Sequence, residues 1–402
     1  MVGYPKSVVC SGNSTQLIIK GQGVFFFEQK DITKPCIFTI SSADKKTSLK
    51  VVFTTSAIVV TNLQTNEPYI DPTNTKGLSQ LSGAYYWFSL DSQNQQLYAG
   101  IGEARLDTVI YSYKFQHIKG NKLSLETLSM IDISQESESL KPLRILRDPI
   151  TLTVPLLIKN TNELTMIDIA KGKCLPRANL CSMNQKMYNC IAGPKFMLDD
   201  TDFPDFSKAI EYSIKTPGLW CNTKLKQKAN EFSKDKPNLN ETYLRITLGQ
   251  NNGESPGVPY VMEIWPIGHF SPVHNHGAAN AVIRVLHGRI HVKLFPFLCD
   301  SYDSVPEFRT AEFKKGDITW ISCSLNQVHQ LENLKSNTET CITIQCYMYD
   351  EDNVAHYEYF DYLDGDGKKQ QYEPDSDMDF VTFKKQMKEE WANKPKKKWW
   401  CF

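Results

Sequence analysis

Over the first two hundred residues the apolar positions fall in short runs and alternations, separated by clusters of Gly, Asn, Asp and Ser. Strand-like segments lie at 16–20, 24–27, 36–40, 49–54, 57–63, 85–90, 96–101, 108–115 and 123–133. A period of two marks half-buried strands, and many short ones at near-regular spacing predict an antiparallel β-sandwich. Segments 156–159 and 164–169, joined by Asn160-Thr161-Asn162, predict a further hairpin. The pattern changes near residue 200. Gly193-Pro194 and the acidic run Asp199-Asp200-Thr201-Asp202-Phe203-Pro204-Asp205 have linker chemistry, so domains over 1–200 and 201–402 are expected. Helices follow at 206–214 and 225–232, and strands return from Tyr243. A last helix spans 380–393, where Phe380, Phe383, Met387 and Trp391 share one face and Pro395 ends it. The fold class expected is mainly β.

Composition narrows the function classes. Lys+Arg and Asp+Glu are 45 each, a net charge of zero, which argues against nucleic acid or an anionic membrane as the main partner. No window approaches about 18 consecutive apolar residues, and the first residues lack the apolar core of a secretory signal. A cytoplasmic protein without stable membrane insertion is expected. The 11 cysteines are dispersed with no C-x-x-C pair, which reads as reduced thiols. Cys174, Cys181 and Cys190 fit no common zinc spacing and read as packed or surface thiols.

The histidines carry the chemistry. Six of the eight lie between 269 and 329, where even scatter would place about one. His274 and His276 are two apart, and strand alternation points them to one face. Two imidazoles can then meet one metal ion, and His329, in the strand-like stretch 327–333, is the candidate third donor. Imidazole suits iron, zinc, copper and nickel about equally. His269 has the wrong parity and is expected to be structural. His287 and His291 flank the Gly288 turn and are expected to be exposed, as are His117 and His356.

The flanking residues bring a resemblance. Gly268-x5-His274-x-His276-x11-Gly288 resembles the first motif of cupins, and Gly316…His329-x3-Asn333 the second. Cupins are small double-sheet β-barrels. Ala281 stands where the first motif usually has Glu, and Ser324-Leu325-Asn326 where the second usually has Pro-x-Gly. Three histidines without the Glu are similar to the thiol dioxygenases, and the chain over 206–365 resembles the cysteine dioxygenase type I family. Tyr243-Leu-Arg245 resembles its Tyr-x-Arg. Trp265-Pro-x-Gly268 and Ser271-Pro-Val-His274-x-His276-Gly277 resemble microbial members. Two departures stand out. The family's Ser-x-His-x-Tyr is here Thr343-Ile344-Gln345-Cys346-Tyr347, and the cysteine that some animal members crosslink to that Tyr falls at Ala281. In the first half, 85–115 looks faintly like the lectin-like β-sandwich modules once named for farnesoic acid methyltransferase. The expected architecture is thus an antiparallel β-sandwich-like domain of unknown role and partner, followed by a cupin.

The resemblance implies an Fe(II) enzyme that takes a small-molecule thiol and O2, with cysteine going to cysteine sulfinic acid. His274, His276 and His329 would hold the metal. Arg245, with Tyr243 beside it, would bind a substrate carboxylate through its planar fork. Tyr347 would place its hydroxyl near the reacting atoms. Gln345 can hydrogen-bond that hydroxyl but has no proton to shuttle. Two alternatives stay open: a dioxygenase for another thiol, such as cysteamine, a mercapto acid or a peptide's amino-terminal cysteine, and a degenerate cupin serving as a binding or regulatory module. The tail Lys394-Pro-Lys-Lys-Lys-Trp-Trp-Cys-Phe402 is expected to fold back onto the protein rather than to bind lipid.

Overall fold

The computed structural model describes all residues except 1–6, 11, 72, 74–75, 82, 116–122, 135–142, 233–235, 249–259, 301–304, 351–358 and 396–402. The tail beyond Pro395, and with it Cys401, lies outside the described residues, as do His117 and His356. The chain forms two compact units. The first holds Met1–Val154 with Pro296–Asp300 and Ser304–Phe308; the second holds the remainder. The protein is mainly β. No described helix is long and apolar enough to cross a membrane.

The first unit is a sandwich. One sheet runs β1 (Ser7–Val9), β12 (Arg144–Leu146), β3 (Gln22–Phe27), β8 (Tyr86–Asp91), β9 (Gln96–Ile101), β10 (Val109–Lys114). The other runs β2 (Ser14–Gln16), β11 (Leu128–Ile133), β4 (Cys36–Ser42), β5 (Ser48–Phe53), β6 (Ile58–Asn62), β7 (Glu67–Tyr69). Alternation sends Phe25 and Phe27 of β3 to the same side as Phe38 of β4 and Phe53 of β5. Phe27 meets Phe38 and Phe53 with ring centroids 4.8 Å apart in each case. Phe25 stacks on Phe88 at 4.5 Å. Edge-to-face and offset contacts of this kind add to area burial. Phe297, Cys299 and Val305, far along the chain, complete this unit against Leu81, Tyr85 and Ile101.

The second unit is a double-sheet barrel. Its large sheet runs β14 (Cys174–Pro176), β13 (Leu157–Lys159), β20 (Ile318–Ile321), β17 (Asn280–His287), β22 (Cys341–Met348), β16 (Tyr260–Trp265), β15 (Leu244–Leu248), β25 (Met378–Asp379). A small sheet runs β19 (Arg309–Lys314), β18 (Arg289–Phe295), β21 (Val328–Glu332), and β23 (Phe360–Leu363) pairs with β24 (Lys369–Tyr372). Helices α1 (Met166–Ala170), α2 (Ser182–Ile191), α3 (Phe206–Lys215), α4 (Trp220–Gln227) and α5 (Phe380–Ala392) belong to this unit. On α5, Phe383 and Met387 are fully buried, as the three-and-four spacing predicts, while Phe380 and Trp391 are half-buried.

Three expectations need correction. The units part between Val154 and Pro155, not near 200. The reason is non-local pairing: β13 joins β20 through Ile158 and Ile318, and α2 packs on β17 and β22. Buried Asn184 of α2 donates to the carbonyls of Ala281 and Ile321, each at 2.9 Å. The acidic run is no free linker either. Asp200 and Asp202 pair with Lys384 of α5, Asp202 also with Lys388, and Asp199 accepts from the Ser207 amide at 2.7 Å. Finally, the expected hairpin at 156–169 is a strand and a helix. Thr165 and Asp168 form a reciprocal capping box that starts α1, and β13 pairs in parallel with β14 instead.

Replacing Asn184 with Leu keeps the bulk but removes both donors to the barrel carbonyls. It is expected to cost about 1–3 kcal/mol of stability, read as a lower urea midpoint of the second unit at unchanged slope.

Candidate metal centre

The site is built on strand pairing. His274 forms an isolated bridge to His329, with reciprocal N–H···O bonds of 3.0 Å. Gly277 and Ala278 then take positive φ, 54° and 64°, which turns the chain from His276 into β17. A Cβ at Gly288, also at positive φ, would lie 2.6 Å from the Thr340 carbonyl, so only glycine closes this motif. The ring centroids of His274, His276 and His329 are 4.7–4.9 Å apart. Their nitrogens lie within 4.8 Å of one another, the one such three-residue group among the described residues.

These imidazoles are poised as neutral donors. Burial pushes His274 down to about 4 and holds His276 and His329 well below the ordinary histidine range. The Nδ1–H of His274 donates to the Pro272 carbonyl at 3.0 Å, which leaves Nε2 free to coordinate. His276 Nε2 and His329 Nε2 are 3.1 Å apart. That separation suits two nitrogens sharing one cation at about 2.0–2.1 Å from each. His276 Nδ1 is buried without a hydrogen-bond partner. Ala281 is fully buried opposite Tyr347 on β22, so a methyl group and no carboxylate stands at that point of the wall. The donor set fits a metal ion bound by three neutral imidazoles.

One row of paired residues forms the wall. Arg245 on β15 faces Glu263 on β16, which faces Thr343 on β22. Arg245 is buried, with Nε 3.5 Å from Glu263 Oε1 and Nη1 donating to the Pro374 carbonyl. Its backbone N–H donates to Asp377 at 2.7 Å, and Asp377 also holds buried Lys228 at 3.0 Å. Gln345 Nε2 donates to Glu263 Oε2, and the Tyr347 hydroxyl donates to Gln345 Oε1. Burial lifts the Glu263 carboxyl to about 7 against the pull of Arg245. Burial, with Glu263 nearby, pushes the Tyr347 phenol well up, so it keeps its proton. Tyr243 stacks on Trp265 at 4.1 Å and carries Lys228 over its face at 5.6 Å.

All the residues singled out from the sequence meet here: His274, His276, His329, Arg245, Tyr243, Gln345 and Tyr347 line one pocket of about 30 Å³. His269 stands outside the three-histidine group, with Nδ1 2.9 Å from the Thr242 carbonyl. His287 and His291 are half-buried rather than exposed, and His287 lies 3.2 Å from Glu339. Glu263 was not anticipated. Its signal was a single charge in the apolar strand YVMEIW, on the same face as Trp265. Phe360, 5.2 Å from the His276 ring, also lines the pocket, and nothing local in the sequence marks it.

Each single change His274→Ala, His276→Ala or His329→Ala is expected to cut bound metal sharply after dialysis, because one coordination position is lost. His287→Ala is expected to keep the full complement. Elemental analysis of the four purified variants checks this.

No family model matches the chain. Among solved structures, a putative sugar phosphate isomerase from Acidithiobacillus ferrooxidans is similar at 16% identity, over 34% of this chain and 79% of that one, with a TM-score of 0.23. The Cnp3 cupin domain of Schizosaccharomyces pombe is similar at 16% identity, over 27% and 65%, with a TM-score of 0.21. A cupin superfamily protein from Desulfitobacterium hafniense is similar at 11% identity, over 27% and 79%, with a TM-score of 0.20. Each likeness covers about a third of this chain or less and speaks to none of its chemistry. The site itself brings together three imidazoles that fit a metal ion, beside a buried guanidinium, within a mainly-β double-sheet barrel.

Proposed function

We propose that the second unit is an iron-dependent dioxygenase of a small thiol, with L-cysteine going to cysteine sulfinic acid as its most fitting reaction. The observation that carries this reading is the convergence of three neutral histidines, with no carboxylate at Ala281, on the pocket that also holds Arg245 and Tyr347. The balance is simple: one thiol and one O2 give one sulfinic acid, and both oxygen atoms end on sulfur.

A bound ferrous ion would supply the redox chemistry and would hold a coordinating thiol as thiolate. The chain's own residues do the rest. Arg245 keeps donors beyond those used by Glu263 and Pro374, and a guanidinium has five N–H groups in all. Those remaining can clasp a substrate carboxylate. Tyr243, Trp265, Tyr362 and Tyr372 wall the pocket with apolar surface and keep water scarce, which strengthens each charge–charge contact. Tyr347 holds its proton at the hydroxyl oxygen, at the edge of the same cavity.

A second reading within the same chemistry has support in one contact. Glu263 is a carboxylate beside Arg245 and offers a partner to an ammonium group, which favours cysteamine over a mercapto acid. Oxygen uptake by the iron-loaded protein against cysteine, cysteamine and 3-mercaptopropionate separates the readings. No uptake with any thiol at full iron occupancy would reject the dioxygenase assignment and leave a binding module.

Arg245→Ala is expected to raise the KM for cysteine far more than for cysteamine, since a buried, charge-assisted pair with the carboxylate is worth about 2–5 kcal/mol. Equal effects on both thiols would take Arg245 out of substrate recognition. Tyr347→Phe is expected to lower turnover while iron content stays level, which elemental analysis alongside oxygen uptake would register.

A further inference from the structure

Glu263, Gln345 and Tyr347 form a short chain of hydrogen bonds whose direction is not free. Gln345 gives its Nε2–H to Glu263 and takes the Tyr347 proton on Oε1. An amide has donors at one end and an acceptor at the other, so the group facing Glu263 decides the group facing Tyr347. An ionised carboxylate can only accept. It draws the amide nitrogen toward itself, and the Tyr347 proton is then held by Gln345 and withheld from the pocket. The Arg245 Nε–H faces Oε1, so a proton gained by Glu263 sits on Oε2, and that O–H donates toward Gln345. The amide must then present Oε1 to Glu263 and Nε2–H to the phenol oxygen, and the phenol proton is released toward the cavity. Thr343 Oγ1, 3.4 Å from Gln345 Nε2, can donate or accept and so serves either arrangement.

We propose that Glu263 is a positioning residue that reverses the chain Glu263–Gln345–Tyr347 when it gains or loses a proton, and that Tyr347 offers its hydroxyl hydrogen to the pocket only while Glu263 is protonated.

The setting makes both states of Glu263 accessible. The residue is 5% exposed, and burial brings its carboxyl to about 7. Arg245 from β15 and Lys228 from the turn after α4 favour the ionised form. Tyr243 from β15, with Tyr347 and Cys341 from β22, faces the same carboxylate. Burial lifts all three, so they remain neutral as Glu263 titrates. A histidine in place of Gln345 could pass a proton along the chain by exchanging one nitrogen's proton for the other's. An amide cannot, and it must turn over. What the reversal does to turnover rests on the proposed thiol chemistry; the orientation of the hydroxyl does not.

The test reads the hydroxyl directly. Ultraviolet resonance Raman spectra of the full-length, metal-free protein, taken as differences against Tyr347→Phe, report whether this phenol donates, accepts or does both. The expected result is a donor-only pattern well above pH 7 that changes to a donor-and-acceptor pattern below it. Glu263→Gln carries an amide that can donate at any pH, and it is expected to show the low-pH pattern throughout. Gln345→Met removes the link and is expected to leave the Tyr347 signal independent of pH. It carries the test alone if Glu263→Gln does not fold. A wild-type pattern unchanged across this range overturns the proposal, as does a pH-dependent change that survives in Gln345→Met. Reversal seen by Raman in a protein that oxidises no thiol would reject the dioxygenase reading and keep this one.

Discussion

Two backbone hydrogen bonds hold the centre together, those exchanged by His274 and His329. A single strand can aim two imidazoles at one point, but the third must arrive from elsewhere, and this pairing brings it. The bridge does not stand alone. Ser271 donates to Leu331 at 2.9 Å, Asn333 donates to His269 at 2.9 Å, and Gly268 donates to Asn333 at 2.7 Å. The irregular segment before His276 is thereby fixed along β21 without being a regular strand. On its other side Asn275 donates to the Asp361 carbonyl, and Leu363 donates to Val273, each at 2.9 Å, which docks β23 and sets Phe360 against His276. Buried Asn333 satisfies the carbonyls of Trp265 and Glu339, so the loop that follows β21 is tied back as well. Three rings that favour the neutral state follow from this framework, since burial disfavours their charged forms.

What the sequence made legible follows from how rigid each local rule is. Strand alternation admits little variation, so the row Thr343, Gln345, Tyr347 on β22 could be read in advance, whereas His274 and His276 converge from a segment that is tied along β21 and is not itself a regular strand. The apolar runs of the sandwich were legible for the same reason, and β3, β4, β5, β6 and β9 lie close to the expected segments. The misreadings have one cause, which is partners distant in sequence. Asp200 and Asp202 look like linker residues until Lys384 and Lys388 are set beside them. Residues 155–200 look like the end of the sandwich until Ile158 is paired with Ile318. Phe297, Cys299 and Val305 lie between two barrel strands in sequence yet fill a gap in the first unit. Helix α1 is a different failure: a local capping box outweighed a short alternating pattern that suited a strand equally well.

Arg245 and Glu263 show why the site was only half legible. A buried ion pair is seldom a source of net stability, because desolvation of the two charges offsets their attraction. Removing one partner is costly all the same, since the other is left as an unpaired charge in a low dielectric. Each residue therefore depends on the other: Arg245 keeps its orientation with Glu263 on its Nε and Pro374 on its Nη1, and Glu263 keeps a share of ionised character because Arg245 is there. An arginine in a Tyr-x-Arg sequence can be recognised from its neighbours. A glutamate in the middle of an apolar strand becomes meaningful only when β15, β16 and β22 lie side by side.

The same pairing accounts for Gln345. An amide at this position brings a donor into a pocket where the available hydroxyl, that of Tyr347, can be served by the amide oxygen alone. The N–H end would be left unsatisfied in the core, at a cost of about 1–3 kcal/mol. Glu263 meets that need from the neighbouring strand, and Thr343 supports it from two residues away. Gln345 and Glu263 are thus complementary: the amide needs an acceptor, and the carboxylate needs donors on both of its oxygens, which Arg245 and Gln345 supply. A chain that carried only one of the two would bury either an unpaired amide or an under-paired carboxylate. Gln345 and the unanticipated Glu263 are therefore one feature, spread across two strands of the same wall.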